Sequence, residues 1–165
     1  MQTSADVTIR CDLRPGDLGL VTRLHGELYA AEHGFNHVFE AYVADSVAEF
    51  GKQYDPARDR LWLAERDGEV VGMVGLLGRK GGASQLRWLL VGPQGRGRGL
   101  GTRLLHDCIG FAHEVGYRSI YLWTVHTLEP AARLYRAAGF QLTEELPATT
   151  LWGPPLREQR YDLTL

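Results

Sequence analysis

"LLVGPQGRGRGLGTRLL", residues 89–105, is where the chain changes character. An apolar run meets Pro93, and glycine then takes every second position at 95, 97, 99 and 101. Arg96 and Arg98 stand between those glycines, and from Leu100 onward the apolar spacing becomes helical. A strand that passes through glycines into a helix N-terminus offers an anion site. The first amides of a helix have no partner within it, and the helix dipole adds partial positive charge. Glycine lets the backbone approach phosphate oxygens with no Cβ in the way, and two guanidinium groups add charge. The ligand suggested is a pyrophosphate. The competing reading is a tight turn with solvated arginines, which leaves the apolar strand before it and the amphipathic helix after it unexplained.

Two common phosphate motifs fall away. A P-loop needs Gly-Lys-Ser/Thr, which this chain lacks. The dinucleotide fingerprint would need Gly or Ala at 102, where the residue is Thr102, and it belongs to a first βαβ unit. Here three strands come first. "LWLAER" (61–66) and "VVGMVGLLG" (70–78) form a hairpin across Asp67-Gly68, a pair suited to a turn with positive φ at both positions. "SQLRWLLV" (84–91) follows the flexible "GRKGGA" turn (78–83), so the three strands predict an antiparallel meander.

Farther out, "VTIRCDL" (7–13) reads as a strand, and Met1–Ala5 as a short frayed start. Asp17 is the expected N-cap of a first helix carrying Leu20, Val21, Leu24, Leu28 and Ala31. A second helix places Phe39, Val43, Val47 and Phe50 on one face. Beyond the glycine run, Leu104, Leu105, Cys108, Ile109, Ala112 and Val115 share a helical face that ends at Gly116. A strand over 119–125 and a helix over 127–140 follow, the latter with Pro130 in its first turn. Strands near 141–145 and around "QRYDLTL" complete the order β-α-α-β-β-β-α-β-α-β-β in a single domain, 1–165.

Composition narrows the partners. Of 165 residues, 44% are hydrophobic and 23% charged, which is globular, and a net charge of −2 argues against nucleic acid. No charged-then-apolar leader opens the chain and no apolar run reaches the ~20 residues of a membrane span, so a soluble cytoplasmic protein is expected. Cys11 and Cys108 are too few for a disulfide framework. His33 and His37 invite a metal, but no third ligand supports it, and no metal is expected.

"VGPQGRGRGLG" resembles the Q/R-x-x-G-x-G/A motif of GNAT-type N-acetyltransferases, with Gln94, Gly97 and Gly99 in its defining places. The wider form V-x-P-x-x-R-G-x-G-L-G matches from Val91 to Gly101, and "AARLYRAAGF" (131–140) resembles the family's second signature. "PGDLGLVTRLHGELYAAEHGFNHVFEAYVADSVAEF" and "DPARDRLWLAERDGE" look like the acetyltransferase half of bacterial chains that begin with a MarR-type DNA-binding domain, for which this chain has no room.

The resemblance implies an α/β fold with a mixed, mostly antiparallel sheet whose middle strands, 84–91 and 119–125, splay to hold acetyl-CoA. Leu89 and Val91 would pair with the pantetheine arm. Gln94, Arg96, Gly97, Arg98, Gly99, Gly101 and Thr102 would hold the pyrophosphate. Tyr135 would protonate the departing sulfur, although its spacing with Leu128, Ala131 and Ala138 also suits packing alone.

The general base is open. Relatives often carry glutamate on the strand before the glycines, but Gln85 and Arg87 stand there. Glu27, Glu32, Glu40, His126 or a water chain remain. Arg87, Glu32 and Phe35 are the acceptor-site candidates, Arg87 by bidentate pairing with a substrate carboxylate or else in a structural salt bridge. The expected activity is acetyl transfer to a primary amine of a small molecule by direct attack. A non-catalytic acyl-CoA sensor and a protein N-acetyltransferase are the alternatives, and a homodimer is a possible assembly.

Overall fold

A computed structural model describes residues 6–165; the frayed start expected at Met1–Ala5 lies outside them. The elements are β1 (Thr8–Arg10), α1 (Asp17–His33), α2 (His37–Gln53), β2 (Arg60–Arg66), β3 (Glu69–Gly78), β4 (Ala83–Val91), α3 (Leu100–Val115), β5 (Ser119–Val125), α4 (Glu129–Ala137), β6 (Gln141–Glu145) and β7 (Glu158–Thr164). Their order matches the sequence reading. One seven-stranded sheet runs β1-β2-β3-β4-β5-β7-β6, antiparallel at every pairing except the parallel β4–β5. The hairpin turn has Asp67 at φ 52° and Gly68 at φ 80°, the left-handed pair its sequence requires.

The sheet is covered on both faces. On one, Leu104, Leu105, Cys108 and Phe111 of α3 and Ala132 and Tyr135 of α4 pack on Trp62, Leu76, Leu86, Ile120 and Leu122. On the other, Val21 of α1 and Phe39, Val43, Val47 and Phe50 of α2 pack on Leu63, Met73, Trp88, Leu90 and Val125. Strand residues alternate between the two layers because successive side chains leave opposite faces.

Two local expectations need correction. β1 stops at Arg10, short of Leu13. Asp17 is the first helical residue of α1, and Gly16 at φ 95° holds the N-cap position. The cause is one ion-pair cluster. The Arg10 guanidinium donates to both Asp17 carboxylate oxygens at 2.9 and 2.7 Å and to Glu65 at 2.6 Å, while the Arg14 amide donates to Asp17 at 2.7 Å. Asp17 thus turns the chain out of the sheet and into the helix. Burial pushes its carboxyl up, but the bonds from Arg10 and Arg14 prevail and hold it below the usual range.

Candidate active site

The site begins with a fault in β4. Its register with β3 shifts between Met73 and Gly75, and there Trp88 adopts φ 55°. The indole is wedged beside Gly75, where an added Cβ would lie 2.6 Å from the ring, and its Nε1 donates to Ser46 Oγ on α2 at 3.1 Å. A bulge bends its strand and increases twist. On its other side β4 pairs with β5 only over Ala83–Gln85 and Ser119–Tyr121. Beyond that the two middle strands part, as expected.

Two cavities open along the parting. The first, of ≈ 430 Å³, runs beneath the glycine run and is lined by Leu89, Leu90 and Val91 of β4, Gly95–Gly97, Gly99–Thr102, Leu134 of α4, and Tyr29 and Glu32 of α1. The second, of ≈ 110 Å³, is walled by Phe35, Phe39, Tyr42 and Trp152 and also takes in His25, Gln85, Arg87, Trp123, Tyr135 and Glu158. Tyr29, Leu89, Leu128 and Ala131 line both. A ligand threaded through the first cavity therefore has its tip beside the second.

The first cavity fits a pyrophosphate-bearing ligand. Gly97 at φ 78° and Gly99 at φ 71° present open space where a side chain would stand. Gly99 caps α3 without any side-chain acceptor, so the first amides of that helix are not capped by a side chain. Gly95 is needed for another reason: a Cβ there would approach the Val71 carbonyl to 2.8 Å. Of the expected cofactor residues, Leu89, Val91, Arg96, Gly97, Gly99, Gly101 and Thr102 line this cavity. Gln94 and Arg98 do not; the Gln94 carbonyl instead accepts from the Arg66 guanidinium. Arg96 donates through Nε to the Val91 carbonyl at 3.1 Å and reaches Glu32 at 2.7 Å, so its guanidinium spans the cleft from β4 to α1.

Tyr135 is 5% exposed, packs against Phe140 and Tyr161, and lines the second cavity. It packs and faces the cavity at once, so the two sequence readings do not compete. Its hydroxyl bonds to no other described residue. Burial, with Tyr29 nearby, raises its pKa well above that of a free phenol, so it carries its proton at neutral pH. Tyr29, stacked on Phe39 at 4.8 Å, is pushed up to about 12 by burial and then by Glu32.

The other candidates separate. Arg87 lines the second cavity, its guanidinium 3.3 Å from the Tyr42 hydroxyl and 5.6 Å from that ring's centre. It has no carboxylate partner among the described residues, so the structural salt bridge is not made. Phe35 is part of the aromatic wall. Glu32, expected beside the acceptor, lines the first cavity instead, because it lies almost a full helical turn past Tyr29 and Arg96 engages it. Glu27 and Glu40 line neither cavity. Nor does His126, whose Nδ1 accepts from the Arg157 amide at 2.9 Å.

Sequence reasoning missed His25, Tyr29, Trp152 and Glu158. Only Tyr29 and His25, four apart on the inward side of α1, carried a signal that helical spacing could have caught. Among the described residues no group of three or more His, Cys, Asp or Glu could hold a metal, and no helix is long and apolar enough to cross a membrane.

The profile of the Acetyltransferase (GNAT) family matches residues 24–140. The chain belongs to that family. GNAT acetyltransferases use acetyl-CoA, and the chain is an acetyl-CoA-dependent acetyltransferase. It is 32% identical over 146 residues to an uncharacterised N-acetyltransferase of Schizosaccharomyces pombe, covering 87% of this chain and 88% of that one. It is 36% identical over 115 residues to N-acetyltransferase family 8 member 2 of Rattus norvegicus, covering 66% of this chain and 50% of that one. The chain thus spans most of the yeast relative and half of the rat one. Two solved structures share the fold: a Desulfovibrio desulfuricans protein described as a GNAT-family acetyltransferase (TM-score 0.76, 22% identity, 96% of this chain and 99% of that one) and a Salmonella typhimurium acetyltransferase with acetyl-CoA (TM-score 0.72, 20% identity, 98% and 95%).

Proposed function

We propose that this GNAT domain transfers the acetyl group of acetyl-CoA directly to a primary amine on a small molecule that also carries a carboxylate. The observation that carries the reading is the meeting of the two cavities at Tyr29, Leu89, Leu128 and Ala131, beside Tyr135. Acetyl-CoA supplies an activated acyl group and a sulfur leaving group. The glycine run and the α3 amides bind its pyrophosphate, and the unpaired stretch of β4 after Gln85 holds its pantetheine arm like an added strand. For that, Arg96 gives up the Val91 carbonyl and exchanges Glu32 for phosphate.

The aromatic wall leaves ≈ 110 Å³ for the acceptor, which favours a small molecule over a protein chain end. Arg87, held against Tyr42 and without an ion-pair partner among the described residues, suits a carboxylate through two parallel N–H donors. Tyr135 donates to the sulfur as the C–S bond breaks, and the proton lost from nitrogen as the amide forms replaces it. Neither Cys11 nor buried Cys108 lines the second cavity, which favours direct attack over an acyl-enzyme. Two unbridged thiols suit a reducing cytoplasm.

The test is thiol release from acetyl-CoA against a panel of amines with and without a carboxylate, alongside protein lysine and N-terminal peptides. Release dependent on amino acids or their analogues is expected. Tight CoA binding with no acceptor-dependent release would turn the reading toward a sensor, and release only with peptides would overturn the small-molecule assignment.

A further inference from the structure

Glu158 opens β7, directly across from Val125 of β5. Residues paired this way in an antiparallel ladder send their side chains to the same face. Val125 belongs to the layer under α1 and α2, so Glu158 points there too, and it lines the acceptor cavity. Its carboxylate makes no hydrogen bond or ion pair with any described residue. The neighbouring cations are engaged elsewhere: Arg157 meets Glu145 at 3.0 Å, and Arg160 meets Asp162 at 2.9 Å. Half-buried carboxylates are rarely left without a partner unless something else is to meet them.

We propose that Glu158 takes the proton from the incoming amine. The assignment rests on the acetyl-transfer reading above. The acceptor arrives as an ammonium, since a free amine has a pKa of about 10. Glu158 removes one N–H proton and becomes neutral, leaving the nitrogen lone pair to form the C–N bond while the C–S bond breaks. Tyr135 gives its proton to sulfur, nitrogen returns one to Tyr135, and Glu158 releases its own to water. The balance is one amide, one thiol and one proton.

The remaining candidate in the cavity is His25, which fits less well. Its Nδ1 donates to the Val21 carbonyl at 2.8 Å, and burial lowers its pKa to about 4. Accepting a proton there would place a second positive charge near Arg87, whereas the same event on Glu158 removes a charge. Burial raises the Glu158 carboxyl above its ordinary value, which makes it a stronger base than a solvated glutamate. The titratable and charged groups sharing the cavity are His25 and Tyr29 from α1, Tyr42 from α2, Arg87 from β4 and Tyr135 from α4. Arg87 and Glu158 stand on strands with β5 between them, and both line the cavity. A single small molecule can present a carboxylate to one and an ammonium to the other.

The experiment compares wild type with Glu158→Gln on the best acceptor from the panel, from pH 6 to 9.5. Loss of a general base should lower kcat by about 100-fold or more near pH 7. The wild-type rate should change little with pH because Glu158 deprotonates the bound ammonium, whereas the variant should keep rising about tenfold per pH unit until the amine itself loses its proton, so the gap narrows. Equal rates, or a gap constant across pH, would overturn the assignment, the latter marking a merely structural role. The fold is checked by CoA binding and Tm. Replacing a carboxylate disfavoured by burial should leave Tm unchanged or higher. A variant that loses its fold or its CoA binding counts as a structural role and overturns the assignment as well. Wild type without acceptor-dependent release would instead sink the parent reading.

Discussion

Gly75 gives the most direct test of how the sheet opens. A Cβ at this position would stand 2.6 Å from Trp88 Cε3 and 2.8 Å from Cζ3. Ordinary contact begins at 3.4 Å, so the ring or the strand must retreat by about 0.8 Å. The ring has little freedom to do so: its Nε1 is tied to Ser46, it meets Phe50 edge-on at 5.3 Å, and it is 8% exposed. Overpacking of this kind costs about 1–3 kcal/mol. For 165 residues, about 2 kcal/mol corresponds to a fall in Tm of roughly 4–8 °C. Because Trp88 at φ 55° forms the bulge that frees the end of β4, pressure on it should also raise the KM for acetyl-CoA by severalfold. Thermal unfolding and initial rates of Gly75→Ala measure both. A Trp88→Leu background supplies the control, since without the ring the same alanine should cost under about 0.5 kcal/mol. If Gly75→Ala keeps its Tm and its KM, the account of a ring-wedged bulge opening the wedge is wrong.

Three more outcomes follow from named contacts. Tyr135→Phe should cut kcat by about 100-fold with the KM for acetyl-CoA unchanged, since it removes a proton donor and little packing; steady-state kinetics at saturating substrates decide it. Arg87→Ala should raise the KM for a carboxylate-bearing acceptor at least tenfold and leave the KM for the matching amine without the carboxylate alone. Asp17→Asn should lose about 2–3 kcal/mol at pH 7, near the lower end for breaking a largely buried pair because Glu65 still holds Arg10. The folded-state pKa of Asp17 lies below its unfolded value. Its stabilisation is therefore present above about pH 4 and fades as pH falls through the folded pKa, so urea unfolding of variant and wild type should converge in acid.

The element order was legible because each element writes its own period. Alternation over 84–91 and the 3.6-residue spacing after Leu100 are local signals, and the glycines between them need only their neighbours to be read. The ends of elements were less legible. β1 was read through Leu13, yet Asp17 and Arg10, seven residues apart, stop it at Arg10 by an ion pair that no period encodes. Glu32 illustrates the same limit: its helix was evident, but the cavity it faces depends on Arg96, 64 positions away.

The proposed cofactor cradle was thus legible in one contiguous stretch, since amides, glycines and charge must lie side by side to wrap a pyrophosphate. The second cavity, the proposed acceptor site, was decided by tertiary structure. That cavity gathers Tyr29, Phe39, Arg87, Trp123, Trp152 and Glu158 from two helices, three strands and the loop before β7. In sequence Glu158 sits in a charged tail, "REQRYDL", indistinguishable from a solvated edge strand. Only the pairing of β7 with β5, and the parting of β5 from β4, turns that carboxylate toward the cavity. Long-range strand pairing sets which side chains converge, and it leaves no periodic mark on the residues themselves.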